Sequence, residues 1–298
     1  MSQLLENELD AVYTYEDGAR LTFEAAGRRS IAKVYELPLG YYRGVANELE
    51  RAAIRSPDVA RQIRQEPAWK QTRKDSELEL ADLVMVPCEW ARASLSFSKF
   101  PQKKVIKVPY GTPADEVAVR GKKPSGPFTV LFAGHIGVRK GVPLLMQAWK
   151  RLGLKNARLL MAGSIGLDEE YLKSHNGFNY LGPLPRVRLL EVMNEIDLFV
   201  FPSLAEGFGL VIGEAMAVGV PVLTTMNTGG PELITDGREG WCVPAHDVDS
   251  LVERIEWAYQ HRDEVYEMGI AARKRAERWT WADYRRKLAD ELSAHLAA

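Results

Sequence analysis

The most informative part of this sequence is PSLAEGFGLVIGEAMAVGVP, which spans residues 202–221. It follows an apolar run at 196–201 that is typical of a buried parallel strand. The glycine-rich sequence after this strand predicts a turn, and the apolar pattern of 210–218 predicts a helix that begins near Gly209. Because ligands of open α/β sheets bind at the carboxyl ends of strands, Glu206 is expected at a ligand site.

The start of this helix is a predicted binding site for an anion. The amides of Phe208, Gly209 and Leu210 would face the strand end, where unpaired N–H groups and the helix dipole favour a phosphate. Glu214 follows Glu206 by eight residues, a rise of roughly 12 Å along a helix. Two carboxylates at this spacing could bracket an elongated ligand whose anionic centre rests on the amides.

Glu214 is surrounded in the sequence by apolar residues. A buried carboxylate without a partner is costly, so this side chain must reach solvent or bind a specific group, such as a hydroxyl-rich ligand. The alternative is a solvated helix residue, with Glu206 acting only on the helix dipole. Gly207 and Gly209 are expected to leave space where a ligand approaches the backbone.

The region 127–278 has the pattern of one Rossmann-like domain. Short, nearly continuous apolar runs alternate with helical patterns, as in a right-handed, doubly wound parallel sheet. The predicted strands occupy residues 130–133, 158–162, 196–201 and 220–223. The predicted helices occupy residues 143–152, 187–194, 210–218 and 249–261.

Residues 1–112 repeat this pattern less completely. The predicted strands lie at 10–15, 31–35, 82–87 and 105–109, with a polar helical stretch at 43–80. The sequence therefore predicts an α/β fold with two Rossmann-like, doubly wound domains, of which the N-terminal one is incomplete. The segment 113–126 is rich in Pro, Gly and charged residues and is expected to be a linker.

Composition narrows the functional class. The 298 residues carry 39 Lys+Arg and 40 Asp+Glu, a net charge of −1, so nucleic acid is not expected as a partner. Cys88 and Cys242 are far apart and predict neither a disulfide framework nor a cysteine zinc site. The five histidines lack ligand spacing, so no metal site is expected. An acidic N-terminus without a signal stretch, and no long apolar run, predict a cytoplasmic protein.

Several motifs, in this order, resemble the donor domain of the GT-B glycosyltransferases of family 4, the glycosyl transferases group 1. They are Phe132-Ala-Gly134-His135-Ile-Gly137-Val-Arg139-Lys140-Gly141, Leu181-Gly-Pro, Glu206-x7-Glu214, and NTGGPELI at 227–234. The resemblance covers nearly all of the chain. It implies retaining, metal-independent transfer of a sugar from a nucleotide-diphosphate sugar to a hydroxyl of a glycan, lipid or small-molecule acceptor, without a cofactor.

The resemblance also implies a role for each matching residue. Glu206, Lys140 and Arg139 would be catalytic, with the two cations on the donor diphosphate and Glu206 on the sugar hydroxyls. Glu214 would hold the ribose, and the backbone near Leu184 would meet the base. Further donor contacts are implied for Gly134, His135, Gly137, Gly207, Phe208, Gly209 and Leu210.

His135 departs from the family pattern, since many members carry Arg at this position. A histidine is only partly cationic near neutral pH, so neutralisation of the diphosphate would fall mainly to Arg139. The alternative is that His135 only fills the end of the strand.

The N-terminal half resembles the family less closely, because family 4 proteins normally begin with a complete acceptor domain. This chain is expected to enter that domain midway, with Tyr15 and Glu16 on the acceptor side of the cleft. An exposed strand edge would suit a second copy or another partner, and the mixed charges of 43–74 suit at most peripheral membrane contact. Residues 279–298 resemble the family's helix that crosses back to the first domain.

Two other functions stay open at this stage. A protein with an incomplete acceptor domain could bind a sugar nucleotide without transferring the sugar, or serve as the donor half of a complex. The sequence AGSIG at 162–166 is also close to the nucleophile elbow of serine hydrolases, with Ser164 as the nucleophile, although Ala162 replaces the first glycine.

Overall fold

The computed structural model describes residues 9–100 and 103–296, which form two α/β units, each with a parallel sheet. Within this part of the chain, the N-terminal sheet has the order β1-β2-β3-β4. Its strands are β1 (Ala11–Tyr15), β2 (Ala32–Glu36), β3 (Leu83–Val86) and β4 (Lys104–Lys107). The accompanying helices are α1 (Arg20–Gly27), α2 (Tyr42–Arg55), α3 (Pro57–Ala60), α4 (Ala68–Leu80) and α5 (Glu89–Ser94).

The C-terminal unit contains a second sheet, in the order β10-β9-β8-β5-β6-β7. Its strands are β5 (Phe128–Ala133), β6 (Ala157–Ala162), β7 (Asn179–Gly182), β8 (Leu198–Phe201), β9 (Val222–Thr225) and β10 (Gly240–Val243). Its helices are α6 (Val142–Leu152), α7 (Glu169–Ser174), α8 (Arg186–Met193), α9 (Leu210–Val218), α10 (Gly230–Leu233), α11 (Val248–Gln260) and α12 (Arg262–Ala276).

The last helix, α13 (Trp281–Leu296), lies against the N-terminal sheet although it follows the C-terminal unit in sequence. Its Tyr284, Leu288 and Leu292 pack on a cluster of apolar side chains from β2, β3 and β4. The chain therefore crosses back to the first unit. Among the described helices, none is both long and apolar enough to span a bilayer.

The predicted α/β fold class with two parallel sheets is confirmed. Each predicted strand is present within two residues of its predicted position, and β5, β8 and β9 are buried along their whole length. The polar stretch 43–80 forms three helices, since Pro57 begins α3 and Pro67 precedes α4. The strands β7 and β10 were not predicted.

The winding of the C-terminal sheet changes direction between β5 and β8. β5 pairs with β6 on one side and with β8 on the other, so the chain order runs outward in both directions from this point. At such a switch point the loops that follow the two strands separate and leave a crevice. The loops 134–141 and 202–209, which carry most of the predicted site, both follow these two strands.

The predicted linker at 113–126 is held against the C-terminal unit. Arg273 on α12 donates hydrogen bonds to the carbonyl oxygens of Ala114, at 3.1 Å, and of Val117, at 2.7 Å. The side chains of Ala114 and Val117 are buried. The segment therefore packs against the C-terminal unit and is not a flexible linker between the two units.

The N-terminal unit touches the loop that carries Glu206. A Cβ atom at Gly207 would lie 1.6 Å from the carbonyl oxygen of Pro38, so only glycine fits this approach. Cys88 Sγ also donates a hydrogen bond to the Gly207 carbonyl oxygen at 2.6 Å. The space beside Gly207 is filled by the other unit and not left to a ligand, which corrects the expectation from sequence.

We expect Gly207→Ala to destabilise the contact between the two units. Its added methyl group would collide with the Pro38 carbonyl, and overpacking costs roughly 1–3 kcal/mol of unfolding free energy. Urea unfolding of the purified protein measures this loss. Gly121→Ala is the matched control, because a Cβ atom at Gly121 has no neighbour within 4 Å. Equal unfolding free energies for the two variants would contradict the close contact.

Candidate active site

A cavity of about 450 Å³ opens at the switch point, where the carboxyl ends of β5, β6, β7 and β8 meet. It brings together charged residues from two different loops with glycines and apolar side chains. Its lining includes Gly134, His135, Lys140, Pro183, Leu184, Glu206, Gly209, Leu210 and Glu214. Most of the residues that the sequence assigns to a donor site therefore share one cavity.

Glu206 is held between two cations. Its Oε2 accepts a hydrogen bond from Lys140 Nζ and another from Arg139 Nη1, the latter at 3.1 Å. The side chains of Lys140 and Glu206 are each 13% exposed, so water only partly screens this pair. Burial lowers the pKa of Lys140, and Arg139 lowers it further, whereas the contact with Glu206 opposes both effects. The cluster therefore offers two cations to an anion and a carboxylate to hydroxyl groups.

Two glycines let the loops of the cavity pack backbone to backbone. A Cβ atom at Gly141, where φ is +69°, would lie 1.8 Å from the carbonyl oxygen of Pro202. At Gly163 a Cβ atom would lie 1.8 Å from the carbonyl oxygen of Gly134. Because α6 begins immediately after Gly141, the first contact fixes Lys140 beside the loop that carries Glu206.

The helix α9 begins at Leu210, after Gly209 with φ +81°. The N–H groups of Leu210 and Val211 have no acceptor within the helix, whereas that of Ile212 donates to the Gly209 carbonyl oxygen at 2.8 Å. Leu210 and Val211 line the cavity. Phe208 does not: its ring is buried and packs edge-on against Tyr110 of the N-terminal unit, with 5.4 Å between centroids. The side chain of Phe208 thus anchors the loop, and only backbone atoms of this part of the loop are available to a ligand.

Glu214 is paired with Arg186, a contact that was not predicted from the sequence. Its Oε1 accepts a hydrogen bond from Arg186 Nε at 2.8 Å, and its side chain is 18% exposed. This hydrogen bond is the main reason why the pKa of Arg186 is raised. Glu214 is therefore neither a solvated helix residue nor dependent on a ligand for its partner. Arg186 is the first residue of α8, and no motif in the sequence connects it to Glu214.

His135 contributes little positive charge to the site. Its pKa is lowered by burial and by the nearby cations Arg139 and Lys140, so the neutral imidazole predominates at neutral pH. The weak neutralisation of a diphosphate by His135 stays a prediction. Gly137 lies beside it, and a Cβ atom at Gly137 would be 3.0 Å from the His135 ring.

Ser164 lies next to His135 but lacks the rest of a hydrolase triad. His135 Nδ1 is 3.0 Å from Ser164 Oγ. A triad needs a carboxylate that orients the histidine through its other nitrogen. Within residues 9–100 and 103–296 no carboxylate is hydrogen-bonded to His135, whose ring instead packs against Gly166. The serine hydrolase alternative therefore has no support from the site.

Tyr15 and Glu16 lie at the carboxyl end of β1, and neither lines the cavity. Tyr15 is 64% exposed. Glu16 is buried with its Oε2 3.3 Å from Lys74 Nζ, and burial raises the pKa of Glu16 to about 7 despite this cation. The structure therefore does not bring these two residues together with Glu206.

Solved structures of other proteins share this fold. Sucrose-phosphate synthase from Thermosynechococcus elongatus is similar with a TM-score of 0.76 and 19% identity, over 97% of this chain and 74% of that chain. Anabaena HepE, in complex with UDP and glucose, is similar with a TM-score of 0.71 and 18% identity, over 94% and 77% of the two chains. The two parallel sheets facing one crevice are thus a GT-B-like fold.

Sequence comparisons identify the family. Capsular polysaccharide biosynthesis glycosyltransferase CapM of Staphylococcus aureus is 33% identical over 159 residues, 50% of this chain and 41% of its own. D-inositol 3-phosphate glycosyltransferase of Mycobacteroides abscessus is 30% identical over 224 residues, 68% and 50% of the two chains. The chain thus spans about half the length of these curated relatives. The family model for glycosyl transferases group 1 matches residues 114–275, and the chain belongs to this family.

We expect His135 to titrate below the ordinary histidine pKa of about 6.5. Burial and two cations disfavour its protonated form, so Lys140→Gln should raise the pKa of His135 toward the ordinary value. An NMR titration of the imidazole C–H signals, assigned with His135→Gln, measures both values. The exposed residue Lys274 supplies the control substitution Lys274→Gln, which should leave the titration unchanged. A pKa at or above 6.5 in the unsubstituted protein would contradict this environment.

Proposed function

We propose that this protein is a retaining, metal-independent glycosyltransferase of family 4 that transfers a sugar from a nucleotide-diphosphate sugar to a hydroxyl acceptor. The observation that carries the proposal is the cluster of Arg139, Lys140 and Glu206. Lys140 and Glu206 line the cavity beside the N-terminus of α9, and Arg139 lines the neighbouring cavity. Such a cluster offers cations and unpaired amides to a diphosphate and a carboxylate to a sugar. Membership of the group 1 family supports the reaction class.

The rest of the cavity suits the nucleoside part of such a donor. Glu214 has a second carboxylate oxygen besides the one that accepts from Arg186, and a carboxylate binds vicinal hydroxyls of a ribose well. Pro183 and Leu184 supply an apolar wall after β7, where a base would stack. The diphosphate would then lie between these residues and Glu206, over the first turn of α9.

Transfer breaks the bond between the anomeric carbon and the diphosphate oxygen and forms a bond from that carbon to the acceptor oxygen, while the acceptor's hydroxyl proton passes to the departing diphosphate oxygen. The sugar becomes oxocarbenium-like, and the leaving diphosphate gains negative charge. Lys140, Arg139 and the amides of α9 would stabilise this charge more in the transition state than in the bound donor. These groups would do the work that a divalent cation does in metal-dependent transferases. Retention requires the acceptor to attack on the face from which the diphosphate departs.

The acceptor is proposed to enter a neighbouring cavity of about 530 Å³ between the two units. This cavity shares His135 with the donor cavity and is also lined by Ile63 and Arg64 on one side and by Leu167 and Asp168 on the other. A hydroxyl held there would approach the sugar beside Glu206. Both units line this cavity, and its shape would decide whether the acceptor is a glycan, a lipid or a small molecule.

The four-stranded N-terminal sheet supports two further parts of the proposal. It would be a shortened form of the family 4 acceptor domain, and the outer edge of β1, whose described pairing is with β2 alone, would accept a second copy or another partner.

Glu206→Gln and Lys140→Gln are each expected to lower kcat/KM for sugar transfer about 10²–10³-fold, because each removes charge aimed at the reacting groups. Turnover of a panel of nucleotide sugars, with products identified by mass spectrometry, measures the effect. Lys155→Gln is the matched control, since Lys155 is exposed and does not line the cavity. Equally low turnover in the unsubstituted protein and in the three variants would contradict the assignment of these residues.

Calorimetry separates the transferase from a silent sugar-nucleotide-binding protein. A transferase binds the nucleotide sugar and turns it over when an acceptor is supplied. The other outcome is saturable binding of the nucleotide sugar that is lost in Lys140→Gln, with no transfer to any acceptor even when a partner chain is added. That outcome would favour the silent protein or the donor half of a complex.

A further inference from the structure

Glu214 lines the cavity proposed to hold the donor, and only one of its two carboxylate oxygens is occupied. Oε1 accepts the hydrogen bond from Arg186 Nε at 2.8 Å, whereas Oε2 accepts none from any described residue. The side chain is not closed off from the cavity, since it lines the wall and is 18% exposed. One oxygen is therefore held by the protein, and the other is free to accept from a hydroxyl group of a ligand.

The contact with Arg186 removes freedom that the Glu214 side chain would otherwise have. A glutamate on a helix has three rotatable side-chain bonds, and ordering such a side chain costs conformational entropy. A ligand that has to order the side chain on binding loses affinity by that amount. Because Arg186 already fixes the carboxylate, a ligand hydroxyl meets an acceptor that is in place.

Arg186 is itself held by the loop that precedes it. Residues 183–185 are Pro-Leu-Pro, and each proline restricts its own φ and the conformation of the residue before it. The helix α8 begins directly after this loop, with Arg186 as its first residue. Pro183 and Leu184 line the cavity. One short, restricted segment therefore supplies both an apolar wall of the cavity and the cation that holds Glu214.

The positive charge of Arg186 is used on carboxylates and is not offered to an anionic ligand. Arg186 is not among the residues that line the cavity. Its Nε is bonded to Glu214, and its Nη1 lies 3.5 Å from Oε2 of Glu116. The hydrogen bond with Glu214 is the main cause of the raised pKa of Arg186, so the guanidinium stays charged in this contact.

The ion pair between Arg186 and Glu214 is not a major source of stability. The side chain of Arg186 is 48% exposed. Ion pairs with this much exposure add little to the free energy of unfolding, because water screens the charges and ordering both side chains costs entropy. The main consequence of the pair is the position of a carboxylate that lines the cavity.

We propose that Arg186 is a positioning residue for ribose recognition. It holds Glu214 so that Oε2 accepts hydrogen bonds from the ribose hydroxyls of a nucleoside diphosphate. This inference rests on the proposed function, in which the donor is a nucleotide sugar. It adds that the affinity for the ribose depends on a residue that does not touch the ribose, and that this dependence passes through Glu214.

Calorimetric titration of the full chain with UDP, GDP and ADP, and with the 2′,3′-dideoxy form of each, tests this role. For the nucleotide that binds most tightly, Arg186→Gln should weaken binding about three- to tenfold, because Glu214 is no longer fixed. The same substitution should change the affinity for the dideoxy nucleotide less than about twofold, because no ribose hydroxyl is left to bind Glu214. An equal loss for both nucleotides would show that Arg186 acts through its charge on the diphosphate, and would overturn the proposal.

Arg188→Gln is the matched control for the loss of charge. Arg188 lies on the same helix, and its side chain is 65% exposed and paired with Glu191. It does not line the cavity. Its replacement should leave the affinity for both forms of the nucleotide unchanged. A loss as large as that in Arg186→Gln would trace the effect to the charge of α8 as a whole, and would overturn the proposal.

A double-mutant cycle with Glu214→Ala identifies the route of the effect. Glu214→Ala removes both carboxylate oxygens, so nothing remains for Arg186 to hold. In this background Arg186→Gln should change the affinity for the ribonucleotide less than about twofold, although it weakens binding in the unsubstituted protein. Additive losses from the two substitutions would show that Arg186 acts independently of Glu214, and would overturn the proposal.

These outcomes distinguish a failure of this inference from a failure of the proposed function. Saturable nucleotide binding with additive losses would leave the proposed function standing and remove only the role of Arg186. Nucleotide binding without sugar transfer would contradict the transferase and leave every binding measurement on Arg186 valid. Absence of binding by UDP, GDP and ADP would overturn the nucleotide-sugar donor and the role of Arg186 together.

Discussion

The contact of Glu206 with Lys140 and Arg139 connects the two loops on which the site is built. It joins the loop after β5 to the loop after β8, at the point where the sheet changes its winding direction. Removing such charges from water costs several kcal/mol per ion, so a partly buried cluster adds little to stability by itself. Its effect is positional: each charge holds the other in place and so fixes the two loops relative to each other.

The strands that follow most directly from sequence are those whose burial is complete. β5, β8 and β9 are buried at every position, so their apolar runs are continuous and predict strands directly. β7 lies at the sheet edge with exposed Asn179 and Tyr180, and its sequence carries no such signal. β10 begins at Gly240, where a Cβ atom would lie 1.9 Å from the Val222 carbonyl oxygen. Glycine is required at the start of β10 by this close contact with β9, although glycine has a low strand propensity.

The site was predictable where one local motif holds several of its residues, and unpredictable where distant segments meet. The motif containing Glu206 and the loop containing Lys140 could each be identified in the sequence, and both reach the same cavity. Arg186 was not predicted, because it lies 28 positions from Glu214 and no periodic pattern or motif in the sequence links the two residues. The role of Gly207 was misjudged for the same reason, since its neighbour Pro38 belongs to the other unit.

The geometry of the loop that carries Glu206 depends on the N-terminal unit as well as on its own sheet. Pro38 touches Gly207, and the ring of Tyr110 packs on Phe208, so two contacts from the first unit fix the backbone immediately before α9. Any ligand that prefers this loop conformation must also favour the observed arrangement of the two units. Binding of any such ligand and packing of the two units would therefore be thermodynamically linked, and a substitution at the junction would alter the affinity for a ligand that it does not touch.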